Sequence, residues 1–334
     1  MSINFSTLQG LTIPEGVVTQ IAKDGVVLWA VQNDKPIILE VEKFISNTYA
    51  GETTYNNEEF ILLDIYPKTN GTVNVTYGGL TKTITDTSGA EEPNAQQVFF
   101  GTFNGVSDSV ITPSSGTLTI EGDCDAFGIG AYDKSSKAPD YPCCCITDVT
   151  SFGAVSYIPQ MAFGSVFGGC TKLTKLIIPS SITSIAVNAF IKCSSLENIT
   201  VNDSNAYYSS DNNGIMFNKD KTEICVYPPA LGFESYVVSS SVTRICENAF
   251  SYCNNLKNIT VPSSVTSIGV CAFMLESSQD ARTITMLSTV PPTLGLLALN
   301  NSGRNNVVVP KGCGDAYKTA ENWSSYADYI TEAS

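Results

Sequence analysis

Ser181–Val201 reads SITSIAVNAFIKCSSLENITV and Ser241–Val261 reads SVTRICENAFSYCNNLKNITV. The two lines align without a gap, and Ser264–Phe273 (SVTSIGVCAF) opens a third copy. The phenylalanine of the Ala-Phe pair falls at Phe190, Phe250 and Phe273. Phe250 and Phe273 are 23 residues apart, while Phe190 and Phe250 are 60 apart, which is one period plus a 37-residue insert, residues 202–238. A looser copy comes first: Val155, Ile158 and Phe163 match Ile182, Ile185 and Phe190, and Cys170, Leu173, Leu176 and Ile178 match Cys193, Leu196, Ile199 and Val201. Ala298-Leu299 stands where a further Ala-Phe pair is expected.

A fixed period of this length is the mark of a solenoid. In Leu196-x-x-Ile199-x-Val201 and Leu256-x-x-Ile259-x-Val261 the last two apolar residues are two positions apart, so they share one face of a short strand. Ser-Val-x-x-Ile supplies a second extended piece, Ala-Phe-x-x-Cys turns a corner with its ring inward, and Pro-Ser-Ser at 179–181 and 262–264 breaks each coil. One coil cannot bury its own apolar face, whereas stacked coils bury each other's, spaced about 4.8 Å apart by strand pairing.

These motifs resemble the BspA-type leucine-rich repeats of bacterial and protist surface proteins, over residues 146–334. The resemblance implies protein or glycan binding at a surface and no catalytic residues. The insert resembles the family's hairpin, running from Tyr207 to Pro228 through Asn213-Gly214-Ile215-Met216-Phe217 and Lys221–Pro228. The tail, with Val307-Val308-Val309-Pro310, Ala316-Tyr317-Lys318 and Asn322-Trp323-Ser324, is similar to a small helical end-cap, placed at 295–334.

Composition narrows the function further. With 32 acidic against 18 basic residues the net charge is −14, a surface that repels nucleic acid and anionic lipid. The absence of histidine excludes Ser-His-Asp and Cys-His catalysis and His-ligated zinc. Charged residues are only 15% and apolar residues 43%, so a packed, β-rich chain is expected. No stretch has the length of a signal-peptide core or a membrane span, and the expected location is a virion or the extracellular surface.

The first 145 residues read as separate modules. Residues 1–33 suggest two strands around Asp24-Gly25 and resemble short N-terminal modules of phage and prophage tail-associated proteins. Residues 34–123 read as an Ig-like β-sandwich with strands at Ile37–Glu42, Phe60–Tyr66, Thr72–Tyr77, Thr81–Thr85, Gln97–Phe103 and Gly116–Glu121. Residues 124–145 are the junction.

Several constellations have both a bland and a functional reading. Cys143-Cys144-Cys145 has no Cys-x-x-Cys partner to complete a zinc site and reads as a labile thiol cluster. Cys170, Cys193 and Cys253 share one repeat position and read as buried corner residues. The Asn/Asp runs at 202–205 and 211–214 read as turn chemistry before calcium ligands, and Asp123 and Asp125 as a solvated turn before a glycosidase pair. Tyr207, Tyr208, Tyr227, Phe233 and Tyr236 either pack the insert on the solenoid flank or form an aromatic contact surface. The second reading makes them the candidate ligand contacts. With an odd count of eleven cysteines, the fold is expected to stand without disulfides. The expected protein is a non-catalytic recognition or adhesion molecule, tail-associated or bacterial-surface. Its partner is a surface protein or glycan, with no cofactor, no metal and no nucleic acid; a carboxylate-dependent polysaccharide hydrolase is the alternative from another class.

Overall fold

A computed structural model describes residues 172–275, 282–299 and 305–334 throughout. Before these it describes residues 72–85, 118–120, 146–153, 155–158 and 170, together with the backbone of further strands between 17 and 128. Asp123, Cys143, Cys144 and Cys145 lie outside the described residues, as do most of residues 1–33, where Val17–Val18 pairs antiparallel with Val31–Gln32.

Residues 37–152 contribute two antiparallel sheets. One runs in the order Ile146–Phe152, Ile37–Val41, Gly116–Gly122, Thr72–Tyr77, Leu80–Thr85. The other orders Cys124–Gly128, Glu59–Pro67, Gln96–Phe103 and Val106–Ser107, with Phe44–Ile45 against Glu59–Pro67. Alternation explains the face presented by the first: Val73, Val75 and Tyr77 are buried while Thr72 is exposed. Ile146–Phe152, read from sequence as the entry to the repeats, hydrogen-bonds to Ile37–Val41 with two register shifts. Its Ile146, Val149 and Phe152 join one apolar cluster with Leu118 and Ile120 on one side and the first coils on the other.

The remainder is a solenoid of about seven turns closed by one short α-helix. Two parallel ladders run along it. The first pairs Tyr157–Ile158 with Ser184–Ile185, is interrupted by the insert, and resumes through Glu223–Val226, Arg244–Ile245, Ser267–Ile268 and Thr293–Leu294. The second pairs Lys175–Ile178 with Asn198–Val201, is interrupted at the same place, and resumes through Ser235–Val237, Asn258–Val261, Arg282–Met286, Asn305–Val309 and Ile330–Glu332. Each ladder keeps the repeat in register, with Ile245 opposite Ile268 and Ile259 opposite Ile284. A threonine file reinforces the first: the Oγ1 atoms of Thr183, Thr243, Thr266 and Thr293 donate to the carbonyls of Ser156, Thr222, Thr243 and Thr266, one coil back.

Each corner needs backbone that most residues avoid. Asn188, Asn248, Cys271 and Leu297 occupy one repeat position with φ of 67, 58, 53 and 57°. Asparagine tolerates that left-handed region because its short side chain bonds locally. Phe190, Phe250 and Phe273 point inward as expected, and Cys170, Cys193 and Cys253 are buried thiols. Burial pushes Cys193 and Cys253 up to about 12, so both stay protonated and inert.

The cap seals the last coil. Trp323 is buried, donates from Nε1 to the Pro292 carbonyl at 2.8 Å, and meets Tyr317 edge-on at 4.9 Å. Tyr317 in turn donates its hydroxyl to the Ser288 carbonyl at 2.9 Å.

Candidate recognition site

The insert departs from what its sequence suggests. Only its first half departs from the coil pattern; its second half is a coil. Glu223–Val226 pairs parallel with Arg244–Ile245, and Ser235–Val237 pairs parallel with Asn258–Val261, so both ladders contain the insert. Tyr227 takes the place of the inward phenylalanine. Its ring lies 5.2 Å from Phe250, which stacks on Phe273 at 5.3 Å.

The first half is an antiparallel hairpin, Tyr208–Ser210 with Met216–Asn218, continued by Glu223–Val226. It enters through Asn205, a fully buried side chain with all its capacity used. Its Nδ2 donates to the carbonyls of Pro179 and Ile182, and its Oδ1 accepts from the N–H groups of Tyr207 and Tyr208. At the tip, Asp211 Oδ1 accepts from the N–H groups of Asn213 and Ile215, and Gly214 turns at φ 84° against Asn198. The oxygens of this run are therefore engaged in turn geometry, and no cluster of metal-holding side chains occurs among the described residues.

The hairpin lies between two apolar clusters. Met216 packs with Ile199 and Val201 below, whereas Ile215 and Phe217 pack with Ile224 and Phe250 above. It also satisfies strand groups left open by the break in both ladders. The N–H groups of Ile185, Val201 and Ile199 donate to Tyr208 Oη, Ser210 Oγ and the Gly214 carbonyl at 3.0 Å each.

The five aromatic residues are accordingly divided. Tyr227 is 1% exposed and belongs to the core, because it replaces a repeat phenylalanine. Tyr236 is half-buried, with its ring 5.3 Å from Tyr227, and Tyr208 is half-buried behind its bond to Ile185. Tyr207 and Phe233 are exposed, at 53% and 42%. Sequence spacing did not reveal this division, since the insert has no Ala-Phe pair to mark its coil.

The same coil shapes a cavity of about 280 Å3. Ile185 to Ile199 and Ile245 to Ile259 each span 14 residues, whereas Ile224 to Tyr236 spans 12. Two residues are missing at the corner, and the neighbouring corners meet over the gap, Asn248 Nδ2 donating to Asn188 Oδ1. Val187, Phe190, Met216, Cys225, Cys246 and Asn248 are among the walls.

Outside, the second ladder from Ser235–Val237 onward presents two files, whereas before its break Lys175, beside Asn198, is exposed and charged. Ser235, Asn258, Thr283 and Asn306 are in register, as are Val237, Thr260, Thr285, Val308 and Thr331. Amides, hydroxyls and methyls alone occupy these positions, although the chain carries a net charge of −14.

The family described as BspA type leucine rich repeat region matches residues 140–224 and 229–302, in six copies. Among solved structures, the chain is similar to a leucine-rich repeat protein from Eubacterium ventriosum, at 21% identity over 54% of this chain and 52% of that one, TM-score 0.39. It is also similar to a leucine rich cell surface protein from Faecalibacterium prausnitzii, at 23% identity over 53% and 50%, TM-score 0.36. The pneumococcal vaccine antigen PcpA matches at 16% identity over 55% and 59%, TM-score 0.33. The chain spans about half the length of the first two of these proteins. No curated protein sequence matches it.

Proposed function

We propose that this chain, which carries BspA-type leucine-rich repeats over residues 140–224 and 229–302, is a non-catalytic recognition protein for a surface protein or glycan. The observation that carries the reading is the uncharged outer face of the second ladder from Ser235–Val237 to Asn305–Val309. Rigid strands hold its amides and hydroxyls at a spacing of about 4.8 Å, which fixes donors and acceptors for a neutral ligand at little entropic cost. Tyr207 and Phe233, the exposed members of the aromatic set, are the proposed additional contacts; an exposed ring offers contact area with few rotamers to freeze. The two N-terminal sheets, read as an Ig-like sandwich, serve as mount. A phage-tail setting and a bacterial-surface setting both place the chain outside a cell, and the genes beside its own distinguish them.

The test is binding of the full chain to a glycan array and to a panel of immobilised extracellular proteins. Thr260→Lys and Thr285→Lys put charge and bulk on the ladder face, and Tyr207→Ala and Phe233→Ala remove the rings. Lost binding by the lysine variants with unchanged melting supports the reading. Full binding by both lysine variants, or by variants lacking both rings and the neutral face, refutes it.

A further inference from the structure

Two thiols on neighbouring coils face the same cavity. Cys225 and Cys246 each follow a paired ladder residue, Ile224 opposite Ile245, and the Cys246 N–H donates to the Ile224 carbonyl at 3.0 Å. Residues in register on parallel strands point the same way, and both cysteines line the cavity left by the shortened corner. Neighbouring strands stand about 4.8 Å apart, inside the roughly 4.4–6.8 Å between Cα atoms that a disulfide bridges.

The repeat does not ask for sulfur here. The same position holds Ala186, Gly269 and Gly295 in other coils. At Gly269 and Gly295 an added Cβ would lie 2.5 Å from the backbone nitrogen of the coil below, Glu247 and Val270 respectively. Beside the cavity there is room for a side chain of this length, and there two thiols stand on neighbouring coils.

We propose that Cys225 and Cys246 form an oxidation site: a low-molecular-weight disulfide reaching the cavity converts them to a reversible cross-coil disulfide. The Cys246 Sγ lies 3.6 Å from Glu223 Oε2, which accepts its proton as the sulfur attacks one sulfur of the small disulfide. That step releases one small thiol and leaves a mixed disulfide on Cys246. Cys225 is the resolving thiol: its sulfur attacks the Cys246 sulfur of the mixed disulfide, breaking the bond to the small thiol, and its proton passes to the departing small thiolate. The first small thiolate takes the proton held by Glu223 and the second takes that of Cys225, so both leave as thiols. In sum two protein thiols are oxidised and one small disulfide is reduced to two thiols.

The experiment exposes the folded full chain to oxidised glutathione and maps cysteines by mass spectrometry of a non-reducing digest. The expected product joins the Cys225 and Cys246 peptides, loses the mass of two hydrogens, and reverts with dithiothreitol. Cys225→Ala, which copies Ala186 and so keeps the coil, should stop at a glutathione adduct on Cys246, and Cys246→Ala should leave Cys225 unmodified. Both residues persisting as thiols while Cys313 reacts, either one pairing with a different cysteine, or the cross-link forming only in urea would each overturn the proposal. A glutathione adduct on Cys225 in Cys246→Ala would overturn the assigned order of attack.

Discussion

Replacing Phe250 by alanine should cost more than the same change at Phe190, although the sequence makes the two positions equivalent. Phe250 is fully buried between Tyr227 and Phe273, at 5.2 and 5.3 Å, with Tyr236 at 6.0 Å. The strands on either side are pinned by ladder bonds, so the space left by the ring cannot collapse, and its aromatic neighbours lose their stacking. That puts Phe250→Ala at the top of the range for such truncations, about 5 kcal/mol. Phe190 lines the cavity beside the shortened corner, so part of its surroundings is already open and the loss should be nearer 3 kcal/mol. The difference of about 2 kcal/mol is roughly a 30-fold change in the folding equilibrium. Urea melts of the full chain measure it, with m values checked for constancy. Equal losses, or losses below about 2 kcal/mol at both positions, would refute the placement of the cavity and the aromatic file.

Tyr227→Phe removes a buried hydroxyl that has no hydrogen-bond partner among the described residues, and should leave stability unchanged or raise it by about 1 kcal/mol, read from the same melts. Asn205→Ala breaks four hydrogen bonds at a buried site and strands their backbone partners, so a loss of about 3 kcal/mol is expected; a loss under about 1 kcal/mol would show that the hairpin entry is not clamped there. Glu332 accepts from the N–H groups of Gly312 and Gly314, which hold its carboxyl below its ordinary 4.5. Its contribution to holding the cap is therefore full above that value and is lost as pH falls through the depressed one, and Glu332→Gln should flatten this acid limb in melts followed by Trp323 fluorescence.

The repeats were legible because each regular coil carries the same inward residues at the same spacing: Ile245, Phe250, Cys253, Leu256 and Ile259 are all buried. The cap was legible for a related reason, since Tyr317 and Trp323 are large rings among the polar residues 311–325, and both are buried. The coil inside the insert was not. Its inward ring is a tyrosine, its corner is two residues short, and its period is masked by the hairpin that precedes it. Pairing of Ile146–Phe152 with Ile37–Val41 was equally hidden, because alternation shows that a strand has an inner face but not which strand lies beside it. Tyr207 and Tyr208 are adjacent in sequence and chemically identical, yet a single bond to Ile185 puts one into the structure and leaves the other in solvent.

The hairpin has a mechanical consequence. Elsewhere, neighbouring coils are sewn together by two strand ladders, and pulling them apart must break many bonds at once. Across the plane between Asn198–Val201 and Ser235–Val237 no ladder runs. The load there passes through Tyr208, Ser210, Gly214, the Ala230 N–H on the Leu196 carbonyl and the Asn248 amide on Asn188. A molecule held at one end and tugged at the other should therefore part first at this plane, drawing Met216 away from Ile199 and Val201 while the coils on either side stay whole and able to close again when the tension falls.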